Sequence, residues 1–564
     1  MNNSFICKHS PVTGKIFFAM LIPTMLMNLT TAIGSMADAV IIGQYLDDLS
    51  LSVVTFATPV YMIINMFAAL FAVGGCIAMG IDSGKGEKHS ANKSFSISLM
   101  LLAFTGIILF VTGLFFSDAV TTWLGASDEV FQMVKTYSRI ILFGGPFFVI
   151  NIGLAFFVRN DGRPALSMAG MFASIISDII LNFVFVGYLD MGVSGAALST
   201  VIGQILSLVI ITSHFFSPKN SLRFVFSFDK TVIRIIKNGA STALHFVYQF
   251  ITILIINHFL ERLAGTSGIV VYTVVFNLST VSLSVFEGIS QTIQPMTSNY
   301  FGEKSYKNIR ESLKLAFTAV FVICGSVTLI LEIFPGIIPV IFGIEDAQIV
   351  AQSVSAVRIY AASMIITTVN VVLGYYLQSI EHSSLSAIMI SLRSFVLFLG
   401  ATLILGKFLG MNGVWSAYLV AEATSFVICL IMIRAKRNTL RKECSGMNML
   451  LFDGDIENGT KRYIFECKNQ NADAYSEYVS TVAKESGDLN QDFVGQYLEE
   501  IGKCISKKNE FIETEINKII GKIIIRDNLN HNLNKERISD VTSKGNCDYG
   551  PVLGWNRMCP EKGK

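Results

Sequence analysis

The stretch SRIILFGGPFFVIN, Ser138–Asn151, has a counterpart in VRIYAASMIITTVN, Val357–Asn370. Arg139-Ile140 stands 219 residues before Arg358-Ile359, and Asn151 stands the same distance before Asn370. Arg and Asn are costly inside an apolar run, so their shared spacing carries more weight than shared Leu or Ile. Further echoes keep the order. Met191-Gly192-Val193 is answered by Met411-Asn412-Gly413-Val414, and the basic loop Gly84-Lys85-Gly86-Glu87 by Gly302-Glu303-Lys304. The first 440 or so residues therefore read as one six-span hydrophobic unit written twice. A membrane protein made of two copied bundles usually moves a solute through a site between or within them.

Composition agrees. Hydrophobic residues make up 52% of the chain and charged residues 15%, and mean hydropathy is +0.56. A soluble domain carries about 25% charge. A net charge of +2 with no basic stripe excludes nucleic acid as a partner. The nine cysteines are scattered without a Cys-x-x-Cys, which is neither a zinc pattern nor a disulfide framework. Reduced thiols facing a cytosol are expected. The apolar run from Ile16 lacks a small-residue cleavage site and reads as a first span.

Spans of about 20 apolar residues fall near 16–43, 51–81, 95–117, 133–158, 165–189, 192–216, 232–260, 268–299, 312–334, 352–378, 384–406 and 411–434. Lys and Arg crowd the loops after spans two, four, six, eight and twelve, as in Lys85, Lys88 and Lys93 or Arg434, Lys436 and Arg437. The alternate loops are acidic or neutral, apart from Lys407 and the Glu261-Arg262 pair. Positive charge is retained on the cytoplasmic side, so both termini are expected there. An even span count makes the halves parallel copies. The expected division is 1–225, 226–440 and a cytosolic 441–564.

Ionisable groups within spans need a reason. Asp38 follows Pro23 in span one, and Asp178 and Asn182 lie four apart on one face of span five. With Thr200 of span six they offer carboxylate, amide and hydroxyl oxygens, a set suited to a hard cation such as sodium. A carboxylate in that setting can instead exchange a proton. The plainer alternative is that Asp178–Asn182 is a hydrogen-bonded pair joining helices. In the second half Glu287 of span eight is the clearest acid, with Glu422 of span twelve beside it as a candidate substrate or proton site. For Glu287 the alternative is a structural pair with Arg393 or His245. Arg358 and Arg393 read as structural or snorkelling groups.

The residues now on the page resemble the multidrug and toxic compound extrusion (MATE) family of antiporters, in particular its bacterial branch. The resemblance covers roughly residues 10–435. It rests on Pro23 with Met36 through Gly43, Arg159-Asn160-Asp161-Gly162, Gly192-Val193 with Gly195 through Thr200, and Gly288-Ile289 through Gln294-Pro295. It implies two six-helix lobes and export of cationic or amphipathic compounds from a bacterial inner membrane, driven by sodium or proton entry. It implies a first-span acid and a fifth-span Asn-x-x-x-Asp pair at the cation site. Asp38 matches the acid and Thr200 a hydroxyl position. In span five the order is reversed, because Asp178 precedes Asn182.

After Lys442 the hydrophobic runs stop. Residues 486–510 read as an amphipathic helix and Gly521–Asn528 as a strand running into a loop. These, with Leu498–Gly502 and Tyr549–Arg557, resemble the histidine-kinase-like ATPase domain of anti-sigma regulators. Cys504 stands where that family places a magnesium-binding Asn, and Leu529 where it places Gly, so an intact ATP site is not expected. The whole reads as an all-α polytopic membrane protein, twelve helices in two lobes, with a small α/β cytosolic domain open to a regulatory partner. It is expected to be a monomeric exporter of organic cations or drugs, not an enzyme, with no cofactor beyond its coupling ion. A membrane sensor and a flippase for a lipid-linked precursor are the rival readings.

Overall fold

A computed structural model describes residues 11–46, 48–126, 129–226, 229–341 and 346–439, together with five strands beyond them. Among the described residues twelve helical segments are long and apolar enough to cross a membrane. Spans one to six are Val12–Gly34, Ser52–Gly84, Lys88–Phe115, Phe131–Asn160, Pro164–Tyr188 and Gly192–Phe216. Spans seven to twelve are Thr231–Ile256, Val271–Gly302, Tyr306–Ile333, Ala347–Ser379, Ser383–Leu409 and Met411–Lys436. The first lies within a longer helix, Pro11–Tyr45. Outward faces are apolar, as with Phe104, Ile107 and Phe115 on span three and Ile404 and Phe408 on span eleven. Hydroxyls on such helices bond to the carbonyl four residues back, as Thr112 does to Ile108, so no donor is left facing hydrocarbon.

Hydropathy predicts a short loop between spans seven and eight. The backbone instead stays helical from Thr231 to Gly302. A straight helix from Gly239 to Gly302 would be about 95 Å long. Yet Gly239 backs onto Leu70 and Gly302 onto Ile81, both on span two. The helical stretch must therefore reverse between Ile256 and Val271.

The duplication is written into the backbone. Asp161, Gly162 and Arg163 donate to Phe157, Arg159 and Val158, and 219 residues on Ile380, Glu381 and His382 donate to Tyr376, Gln378 and Leu377. Gly162 has φ 80° and Glu381 φ 60°, so the second copy holds the same left-handed turn without glycine. Ser167 Oγ donates to the Ala155 carbonyl and Ser386 Oγ to the Gly374 carbonyl, each at 2.8 Å.

Two hydrophobic cores follow the two halves, with one exchange. The core built on Ile64, Val134 and Val149 belongs to the first half. The other, built on Met296, Leu313 and Trp415, also takes in Val12, Ile16 and Phe17 from the start of span one. Thr13 Oγ1 lies 3.3 Å from the Tyr300 hydroxyl, so span one begins in the second half's core.

At the end carrying the basic loops, spans two and eight cross with their backbones in contact. A β-carbon on Gly84 would stand 2.0 Å from the Asn299 carbonyl oxygen, and one on Gly302 would stand 2.1 Å from the Ile81 carbonyl oxygen. Gly84 and Gly302 are counterparts, as are Ile81 and Asn299, so these contacts are mirror uses of one interaction about a two-fold pseudo-axis. Small residues allow this approach where no hydrophobic force drives helices together.

The strands are β1 Thr460–Glu466, β2 Phe511–Asn517, β3 Lys522–Asp527, β4 Arg537–Val541 and β5 Cys547–Asp548. They form one antiparallel sheet in chain order. Strand β3 falls where the sequence predicts it. The helix expected over 486–510, with Cys504, Leu529 and 549–557, lies outside the described residues.

Gly84→Ala and Gly302→Ala are each expected to lower the thermal unfolding midpoint in detergent, on the scale of about 1–3 kcal/mol for an overpacked contact. Gly400→Ala, which meets nothing within 4 Å, is the matched control and is expected to leave it unchanged or higher. Equal midpoints for all three would refute the tight crossing.

Candidate functional site

Span five reverses the amphipathicity of a soluble helix. Ser167, Gly170, Ser174, Asp178 and Asn182 form its buried face, and Ile176, Ile180 and Phe183 point outward, more than half exposed. The stripe recurs every three or four residues, so it faces one way, into the first half. The helix then loosens into a π-helical turn over Phe183–Tyr188, directly after Asn182. Such turns are frequent at functional sites.

That face meets Asp38. Asn182 Nδ2 donates to Asp38 Oδ1 at 2.8 Å and, more weakly, to Asp178 Oδ1 at 3.4 Å. Ser199 and Thr200 of span six lie beside the Asp178 carboxylate. The Tyr61 and Tyr137 hydroxyls bond to each other at 3.2 Å and are close enough to feel both acids. Asp178 and Asn182 are buried. Asn182 Oδ1 is also buried and accepts no hydrogen bond. An orphaned acceptor between two carboxylates is an unmet demand for positive charge, and oxygens alone surround it, which fits sodium or a shared proton. The reversed order of acid and amide lets the Asn182 amide bridge the two acids. No group of three or more His, Cys, Asp or Glu side chains placed to hold a metal occurs among the described residues.

All four residues singled out in the first half thus converge. Sequence reasoning missed Ser199, Tyr61 and Tyr137, hydroxyl side chains that carry no charge to mark them in an apolar run.

The duplicated Arg139 and Arg358 are exposed, and Arg139 lies over the Phe143 ring. The duplicated asparagines are buried and bonded. Asn151 Nδ2 donates to Gln204 Oε1 at 2.7 Å, and Gln204 Nε2 to Ser174 Oγ at 3.4 Å. In the second half Asn370 Nδ2 donates to Glu422 Oε2 at 2.7 Å. Arg393 grips the same carboxylate with Nη2 at 2.7 Å and Nε at 3.1 Å. Gln204 and Glu422 are counterparts 218 residues apart, and Ser174 and Arg393 are counterparts 219 apart. One three-helix contact is neutral in the first half and ionic in the second. The offset itself could have pointed to Gln204 and to this pairing.

Arg393 therefore pairs with Glu422 and not with Glu287. His245 bonds Ser394 through Nδ1 at 3.3 Å. Glu287 is half-buried, and its charge is coupled to that of Arg393. Glu422 and Arg393 border a cavity of about 130 Å³ within the second half.

A twelve-span membrane protein of two duplicated bundles, with an acidic oxygen cluster inside one of them, is an ion-coupled carrier by architecture. The sequence profile of the MatE family matches residues 23–184 and 240–432, more than half of the chain. The chain belongs to the MatE family; it is a multi-pass membrane transporter and not an enzyme. It is 23% identical over 446 residues to the multidrug export protein MepA of Staphylococcus saprophyticus, covering 77% of this chain and 96% of that one. It is 24% identical to MepA of Staphylococcus haemolyticus, over 75% of this chain and 95% of that one. Among solved structures, one described as the outward-facing conformation of a multidrug resistance MATE family transporter superposes with a TM-score of 0.72. The identity is 22%, and the match covers 76% of this chain and 97% of that one. A MOP superfamily transporter from Pyrococcus furiosus, described as having a binding pocket of reverse polarity that suggests a different function, superposes at 0.71. It is 21% identical over 76% of this chain and 97% of that one. The family match ends at residue 432 and lends the histidine-kinase-like resemblance of the tail no support.

Arg393→Ser leaves a buried carboxylate unpaired and is expected to cost about 3–5 kcal/mol. The double variant Arg393→Ser, Glu422→Gln installs the neutral set found in the first half and is expected to recover most of that loss. Thermal unfolding of the purified variants checks this. A double variant no more stable than the single one would show that the pair is not the controlling contact.

Proposed function

We propose that this chain is a cation-coupled antiporter that exports cationic or amphipathic organic compounds, drugs among them, across a bacterial inner membrane. The observation that carries the reading is the Asp38–Asn182–Asp178 cluster with its orphaned Asn182 oxygen. Sodium or a proton enters there, and Thr200 completes the oxygen set. Binding a cation relieves the repulsion between two close carboxylates and supplies a partner for the amide oxygen. Each ion state thereby favours a different packing of spans one and five, which is how an ion gradient can do work on a carrier. Glu287 and Glu422 serve the exported compound in the other half.

The working units are 1–225 and 226–440, with 441–564 as a cytosolic appendage and both termini cytoplasmic. The appendage serves a regulatory partner without binding ATP. A monomer suffices, because each chain holds both halves. The names of the relatives support drug export. The reversed pocket polarity described for the Pyrococcus furiosus protein makes the sign of the pocket charge the property to weigh, and here the cluster is acidic.

Vesicles reconstituted with the purified chain and loaded with ethidium test the reading under separately imposed sodium and proton gradients. Dye movement is expected under one gradient. Asp38→Asn is expected to slow it by about tenfold or more, the scale of one charge-assisted interaction. Folded protein that moves no dye under either gradient would overturn the reading in favour of a sensor or a lipid-precursor flippase.

A further inference from the structure

We infer that the two halves divide the labour: the coupling ion binds in the first, and the cavity of the second binds the aromatic body of a monovalent organic cation, with Glu287 as its counter-charge. This rests on the export reading and names the substrate class and its seat.

The cavity is walled by rings. Tyr360 meets Tyr418 edge-on at 5.2 Å, Phe398 lies 4.5 Å from Tyr418, and Tyr272 stacks with Phe276 at 6.1 Å between centroids. All five side chains line it. Aromatic faces attract a cation most strongly where water is excluded, and flat rings accept a flat aromatic guest.

Charge then decides the class. Glu422 lines the cavity but is neutralised by the two-pronged grip of Arg393. Span eight contributes Phe276, Ser279 and Leu283 to the wall. Glu287 follows Leu283 by one helical turn on the same face, at the inner end of the cavity. Among the described residues it makes no hydrogen bond or ion pair. The wall therefore carries one uncompensated negative charge, which suits a single positive charge on the guest. The first half has no equivalent, because Gln204 and Ser174 replace the ion pair there.

Span one connects the two sites. Gly288, next to Glu287, packs against the Met25 backbone closely enough that a β-carbon would stand 2.7 Å away. The same helix carries Asp38 further along. A shift of span one driven by the ion is felt at the turn that holds Glu287.

The test measures tetraphenylphosphonium binding to the full chain in lipid nanodiscs by calorimetry, with no gradient imposed. Glu287→Gln, and separately Leu283→Trp, which fills the cavity, are expected to weaken binding about tenfold or more. Leu283→Trp keeps the test decisive should Glu287→Gln fold poorly. Asp38→Asn is expected to leave affinity within about twofold, as distant independent sites do, while abolishing gradient-driven transport. Unchanged affinity in both second-half variants overturns the proposal alone, and so does affinity lost in Asp38→Asn but kept in Glu287→Gln. Folded wild-type protein that binds no tetraphenylphosphonium removes the export reading and this proposal together.

Discussion

The reciprocal crossing of spans two and eight governs the rest of the structure. Two helices approach until the carbonyls of Ile81 and Asn299 touch the glycines of the opposite chain segment. In hydrocarbon, helices gain nothing by hiding Leu from Leu, so packing contacts and polar pairs must hold them. The glycines supply the closest packing available, and they sit at equivalent positions in the two copies. The halves are therefore hinged about their own pseudo-axis. At the same end Arg234 of span seven, placed by that crossing, reaches Asp82 at 2.7 Å and Glu381 at 2.5 Å. Asp229 in the loop before it is held below the usual carboxylate range by Lys93.

Around that hinge the polar side chains follow one rule. Every buried polar group needs a partner, because lipid offers none. Span five meets the rule by turning its Ser, Gly, Asp and Asn stripe inward and its Ile and Phe outward. The Asn151 and Asn370 contacts meet it twice with different chemistry, Gln204 and Ser174 in one half and Glu422 and Arg393 in the other. Duplication preserved the geometry of the contact and left its charge free to diverge. The asymmetry of the carrier follows: two neighbouring acids bridged by an amide in the first half, and an ion pair beside an aromatic cavity in the second.

Span one gives this asymmetry a mechanical sense. It starts in the second half's core with Val12 and Phe17, bends at Pro23, passes Gly288 at Met25, and ends beside span five at Asp38. An event at either acidic site acts on a helix that belongs to both halves.

The amino-acid sequence alone determined the number of spans, their duplication and the first-half site. Those depend on local properties: apolar length, a repeated offset of Arg and Asn, and two polar residues four apart on one helix. The tertiary structure alone decided which acid Arg393 pairs with, that Tyr61, Tyr137 and Ser199 stand at the first-half acids, and that span one is shared. It also kept the chain helical from Thr231 to Gly302 where hydropathy expects a loop. Hydropathy and spacing report what a helix must do with its own backbone and surface. The choice of partner is made where helices from distant parts of the chain cross, and that depends on the crossing geometry, which no single stretch of sequence contains.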